Sequence, residues 1–208
     1  MIHEQNVVPG RANRILSLGV GKIAITFKES QRYFPSLRTV WTGCPTHAQK
    51  GPLAKKELLL QFGLDENKPT ILVLGGSQGS RRINAEFVEA VPLLKKHLDF
   101  QVIHISGKDD YAKLQDFYSH GAVQFSLFDF LEEIGSAYQA ADLVVARAGA
   151  LTVLEIAQFQ LPAVLIPYPF AGGHQKDNAK ILSETSRARI LEEKDLNPQV
   201  LAEDIHDL

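Results

Sequence analysis

The chain has 208 residues, 45% hydrophobic and 22% charged, with a net charge of −2; this is the composition of a globular protein and gives no electrostatic argument for nucleic-acid binding. Its single cysteine, Cys44, excludes an intramolecular disulfide, fits a reducing cytoplasm and reads as inert packing. No apolar run approaches the roughly 20 residues of a membrane-spanning helix, and no signal-peptide pattern opens the sequence.

In chain order, "MIHEQNVVPG" starts as if in mid-strand. A helix is expected over 11–18 and a strand over 23–27. From 29 to 69 the rhythm is broken by Pro35, Gly43, Pro45, Gly51, Pro52, Gly63 and Pro69, around a short helical piece at 54–62; such a stretch reads as a crossing between two lobes. Further strands are expected at 71–74, 101–105, 123–125, 143–146, 163–166 and 188–191, most of them continuous Val, Ile and Leu runs suited to strands covered on both faces. Helices are expected between them at 81–97, 109–118, 132–140, 151–159 and 175–185. Alternation of this kind argues for an α/β, doubly wound parallel sheet. The chain closes at "LAEDIHDL" inside a helix-like run, so both ends read as cut. Three segments are expected: 1–43 from a first lobe, 44–69 as interlobe crossing and first helix, and 70–208 as a second lobe shortened at its end.

The stretch "TILVLGGSQGSRRIN", Thr70 to Asn84, runs a buried strand into a glycine turn and then a helix. A Walker A loop needs Lys-Ser/Thr after its last glycine, whereas Ser80 and Arg81 follow Gly79. Gly75, Gly76 and Gly79 also miss the G-x-G-x-x-G spacing of a dinucleotide fingerprint. A formal G-x-G-x-x-A at Gly19–Ala24 precedes a strand and reads as a helix-ending turn in which glycine relieves left-handed strain. The 75–80 turn still favours an anion. The first N–H groups of the following helix have no partners within it and point with the helix dipole at whatever lies above the turn. Ser77 adds a hydroxyl. A plain tight turn without ligand is the alternative.

Two later segments are site-like. In "DLVVARAGALTVLEIAQFQLPAVLIPYP", Thr152 and Glu155 stand one helical turn apart and share a face. A carboxylate there can accept from two hydroxyls, as of a ribose diol; equally, it can act as a stabilising charge near a helix start. In "PYPFAGGHQKDNAK", His174 and Gln175 stand at the start of the next helix, as donors to sugar hydroxyls or as caps.

"HEQN" at His3–Asn6, "GGSQGS" at Gly75–Ser80, "RAGALTVLEIAQFQLPAVLIPYP" at Arg147–Pro169 and "HQKDNA" at His174–Ala179 together resemble the MurG family, in order and spacing across nearly the whole chain. The resemblance implies a GT-B-type fold of two Rossmann-like lobes, the second nearly whole here. It implies inverting transfer of N-acetylglucosamine from UDP-N-acetylglucosamine to lipid I, giving lipid II in peptidoglycan synthesis. Gly76, Ser77, Gln78 and Gly79 would lie at the pyrophosphate, and Glu155 would hold the ribose. Leu131 would read the uracil edge through its backbone. Ala150, Leu151 and Thr152 would lie near sugar and phosphate, and His174, Gln175 and Asn6 at the sugar hydroxyls. His3 and Glu4 are the only candidates here for the general base, whose main home the resemblance places in a first-lobe loop outside this sequence.

No metal and no cofactor beyond the donor substrate are expected, since the family does not depend on a metal for this step. Lipid I at the cytoplasmic membrane face, approached peripherally, and other cell-wall synthesis enzymes are the expected partners, with no nucleic acid among them. "GCPTH" at Gly43–His47 departs from the family's usual G-N-P-V-R and places His47 where an arginine is usual. Two alternatives stay open: a UDP-sugar-binding module without turnover, and an enzyme similar to UDP-N-acetylglucosamine 2-epimerase.

Overall fold

The computed structural model describes residues 1–76, 79–121, 123–170, 173–185 and 188–208. Three short strands, β1 (Ile2–Glu4), β2 (Ile23–Ile25) and β3 (Thr39–Trp41), pair in parallel in that order. Helix α1 (Arg11–Leu16) makes the first crossing, and Ile23, Ile25 and Phe34 bury together beneath the sheet. Trp41 ends β3 with its indole N–H donating to the Thr26 carbonyl at 3.0 Å and the Lys28 ammonium 4.2 Å from its ring centroid. Sequence patterning missed β3, because three residues with exposed Val40 and Trp41 present no buried run to detect. The helix-ending turn expected at Gly19–Ala24 also needs correction: it follows α1, but neither Gly19 nor Gly21 adopts a positive φ, so glycine relieves no left-handed strain there.

The second sheet has six parallel strands: β4 (Thr70–Leu74), β5 (Gln101–Ile105), β6 (Gln124–Phe128), β7 (Leu143–Ala146), β8 (Ala163–Leu165) and β9 (Ala188–Ile190). Their order is β6-β5-β4-β7-β8-β9. The alternation of strand side chains explains why both faces must be covered. Leu72, Leu74, Ile103, Val144, Ala146 and Leu165 face one core, and Ile71, Val73, Val102, Leu143, Val145 and Val164 face the other. Helices α2 (Lys55–Gln61), α5 (Ile134–Ala140), α6 (Ala150–Phe159) and α7 (His174–Thr185) supply the first core. Helices α3 (Arg81–Leu94), α4 (Tyr111–Ser119) and α8 (Pro198–His206) supply the second.

Strand β6 reaches Phe128, beyond the 125 expected. It is an edge strand with only Leu127 buried, so the apolar run that marks central strands is diluted by Gln124 and Ser126. Helix α5 begins at Ile134, two residues after the expected start.

Strand order reverses between β4 and β7, which are hydrogen-bonded neighbours separated in sequence by β5 and β6. A crevice opens at the carboxyl ends of strands where such a reversal occurs. The loops after β4 and β7 therefore define where a ligand belongs.

Candidate functional site: a cleft at the strand-order reversal

Gly75 and Gly76 leave β4, and Gly79 and Ser80 enter α3; Ser77 and Gln78 lie outside the described residues. Gly76 and Gly79 have φ of +92° and +76°. A Cβ on Gly75 would lie 2.1 Å from the Ser80 nitrogen, and one on Gly79 would lie 2.0 Å from the Ser106 carbonyl oxygen. The turn is compact because its glycines let it fold back on itself and against the exit of β5.

Ser80 caps α3, its Oγ accepting from the Ile83 N–H at 3.4 Å. Arg81 and Arg82, in the first turn of this 14-residue helix, line the cleft, and the unpaired N–H groups of a helix start favour an anion.

Arg147, one residue beyond β7 and only 8% exposed, braces this turn. It donates to Ser80 Oγ at 2.8 Å and to the Ile166 carbonyl at 3.2 Å. It also ion-pairs with Glu193, and its guanidinium lies 5.3 Å from the Tyr168 ring centroid. Sequence reading gave Arg147 no role. The available signal was a charge standing directly after a buried apolar strand, which demands partners.

Two clefts meet here. One of about 520 Å³ is lined by Gly76, Gly79, Ser80, Arg147, Thr152 and Gln175, among others. The other, about 630 Å³, is lined by Asn6, His47, Gly76, Leu131, Ala150, Leu151, Thr152 and Glu155, with Phe130, Ile134 and Tyr138 adding apolar surface. Gly76, Gly149 and Thr152 belong to both, so the two are halves of one groove.

Thr152 and Glu155 do share a face of α6 toward it. Glu155 is 8% exposed and accepts from the Tyr138 hydroxyl at 3.2 Å and from the Ala48 N–H. Burial raises its pKa above the ordinary carboxylate range; the Tyr138 hydroxyl, the Ala48 N–H and nearby His47 pull it partly back. An ionised carboxylate has about four acceptor sites. Two protein donors therefore leave capacity for hydroxyls from the groove. His47 is the only basic side chain lining the Glu155 half among the described residues.

His3, Glu4 and His174 lie elsewhere. His3 Nε2 is 3.1 Å from Thr26 Oγ1. Glu4, 2% exposed, accepts from Asn6 N, Asn6 Nδ2, Gly10 N and Asn13 Nδ2 at 2.8–3.2 Å. Neither lines the groove. With its acceptor sites taken up by four donors, Glu4 organises the 4–13 loop, and the geometry does not fit the general base expected of it. His174 begins α7 with its Nδ1 buried and unpartnered among the described residues; it too lies outside the groove lining. Gln175 lines the half beside the start of α3 and also accepts from the Tyr168 N–H at 2.9 Å.

A six-stranded parallel sheet in this order, with a glycine turn opening a long helix at the reversal and a carboxylate helix beside it, is a Rossmann-like lobe of GT-B type. Residues 70–208 match the family model described as the glycosyltransferase family 28 C-terminal domain, and the chain belongs to that family.

Similar proteins agree. A Bacillus subtilis protein, 38% identical over 98% of this chain, is named UDP-N-acetylglucosamine--N-acetylmuramyl-(pentapeptide) pyrophosphoryl-undecaprenol N-acetylglucosamine transferase. A Halothermothrix orenii protein of the same name is 37% identical over 100% of the chain. The chain spans 56% and 59% of those two proteins. The crystal structure of Acinetobacter baumannii MurG superposes with a TM-score of 0.76 at 28% identity, covering 99% of this chain and 57% of that one. The resemblance read from the motifs is thereby borne out. Escherichia coli ADP-heptose LPS heptosyltransferase II shares the fold alone, at 13% identity and a TM-score of 0.60 over 99% of this chain and 74% of that one.

Among the described residues no helix is long and apolar enough to cross a membrane.

Proposed function

We propose that this chain is the donor-binding part of an inverting N-acetylglucosaminyltransferase. The enzyme moves the sugar of UDP-N-acetylglucosamine to the 4-hydroxyl of the muramyl group of lipid I at the cytoplasmic membrane face, giving lipid II. The carrying observation is one continuous groove with a helix N-terminus at one end and a half-satisfied buried carboxylate, Glu155, in the other. A diphosphate fits the first and a ribose diol the second. Leu131 and the apolar residues beside it offer a slot for the base.

As the glycosidic bond breaks, negative charge grows on the departing UDP. Fixed N–H groups and the α3 dipole oppose that charge without having to reorganise. Arg147 holds Ser80, and with it the helix entrance, in place. Acceptance of lipid I, peripheral membrane attachment and contact with other cell-wall synthesis enzymes belong to the same proposal for the whole protein.

Titration calorimetry with UDP-N-acetylglucosamine, UDP-glucose and UDP tests it. UDP should bind, Glu155→Ala should weaken it by about 1–3 kcal/mol, and the N-acetylated sugar should be preferred over glucose. A folded chain giving no heat with any of the three would sink the reading. One observation favours a narrower statement for these 208 residues: His3 and Glu4 are committed away from the groove. The chain would then bind the donor, and turnover would need a base it does not contain.

A further inference from the structure

Asn178, on α7, is completely buried. Its Oδ1 accepts from the Val7 N–H at 3.0 Å, across 171 residues of sequence. Its Nδ2 donates to Asn6 Oδ1 at 3.1 Å and to the Ala148 carbonyl at 3.3 Å. Turning the amide over would set N–H against the Val7 N–H and oxygen against two acceptors, so one orientation alone satisfies the site.

Asn6 is equally determined: its Oδ1 is held by Asn178 and its Nδ2 donates to Glu4 Oε1 at 3.2 Å. Ala148 precedes Gly149 and Ala150, which line the groove on the α6 side, while Asn6 lines it from the β1 side. A single buried amide thus ties the two walls of the groove together.

We infer that Asn178 is a positioning residue that fixes the wall carrying Asn6 against the wall carrying α6, and so selects for the sugar of the donor. The inference rests on the groove being a nucleotide-sugar site. In that reading the base, ribose and diphosphate contacts all come from the six-stranded sheet and its helices. What remains for the Asn6 wall is the sugar. UDP alone, lacking that group, should not sense Asn178.

Asn178→Asp is the discriminating variant. It keeps an oxygen for the Val7 N–H but puts the second oxygen against Asn6 Oδ1 and the Ala148 carbonyl. Calorimetry on the wild-type chain and on Asn178→Asp, Asn6→Ala and the double variant, with circular dichroism confirming the fold, is the test. Asn178→Asp should weaken UDP-N-acetylglucosamine about tenfold, the loss of one well-placed hydrogen bond, and change UDP less than about twofold. Asn6→Ala should add little on the Asn178→Asp background, because the two act through one contact. A merely structural role would weaken both ligands together.

Equal losses for both ligands, or full additivity of the two substitutions, would overturn the role of Asn178. Should Asn178→Asp not fold, Asn6→Ala alone decides: without selective loss of the sugar nucleotide, the wall that Asn178 positions has no ligand to select. Failure of the wild-type chain to bind UDP overturns the groove reading itself, and the role of Asn178 with it.

Discussion

At the scale of the residue, His104 shows how much chemistry a strand position can hide. It is fully buried in β5, with Nε2 3.1 Å from Asn84 Oδ1 and Nδ1 2.9 Å from the Tyr118 hydroxyl. The Asn84 amide nitrogen already donates to the Ser106 carbonyl and to Asp110, so its oxygen faces the histidine and Nε2 must carry the proton. Nδ1 then accepts from Tyr118. Burial lowers the imidazole pKa to about 3, from an ordinary 6.5. Between those values the unfolded chain takes up a proton that the folded chain refuses. Stability is therefore full above about pH 6.5 and is lost as pH falls toward 3, by roughly 2 kcal/mol at pH 5 from this group alone. Urea denaturation at pH 7 and pH 5 should show that loss, and His104→Gln should shrink it; an equal pH dependence in the variant would refute the assignment. None of this was legible beforehand. His104 sits inside an apolar strand, and its partners arrive from α3 and α4.

At the scale of the element, the glycine turn divides into what spacing can reveal and what it cannot. The G-G-x-x-G pattern was enough to place the turn between a strand and a helix and to exclude two familiar phosphate loops. That Gly79 abuts the Ser106 carbonyl was beyond reach, since the contact spans 27 residues and depends on β4 and β5 being neighbours. The two left-handed glycines should therefore differ. Gly76→Ala meets the left-handed conformational penalty, about 1–2 kcal/mol, since among the described residues nothing lies within 4 Å of its Cβ position. Gly79→Ala adds a collision with backbone and should cost roughly 1–3 kcal/mol more. Urea midpoints of the two variants, at matched m-values, check the order, and a reversal would mean that the turn relaxes freely.

For the whole molecule, chain-wise alternation of strands and helices gave the sheet type. Of the residues the resemblance implied, seven line the Glu155 half of the groove: Asn6, Gly76, Leu131, Ala150, Leu151, Thr152 and Glu155. His3, Glu4 and His174 are not brought there; for His3 and Glu4, local hydrogen bonding around β1 decides the orientation. The proline- and glycine-rich crossing was readable as a connector but not as an anchored one. Thr46 Oγ1 donates to Gln158 Oε1, Gln158 Nε2 to the Ala48 carbonyl, and Gln139 pairs with Gly51 and Leu53. Gly135 leaves no room for a Cβ beside the Gln49 carbonyl, 2.3 Å away. Segment 46–53 should resist limited proteolysis in the wild-type chain. Gln158→Ala should speed its cleavage several-fold through local opening; unchanged cleavage would mean that these bonds do not hold it.

Trp41 is the chain's sole tryptophan, and its ring lies in the three-stranded sheet, hydrogen-bonded to Thr26 and capped by Lys28. Intrinsic emission excited at the indole band therefore reports on that small sheet alone, while far-ultraviolet dichroism is dominated by the helices of the larger one. Val7, Phe27 and Ala48 share a core with Leu72, Val144 and Ile156, so the two optical signals should melt at one midpoint, as a single cooperative unit requires.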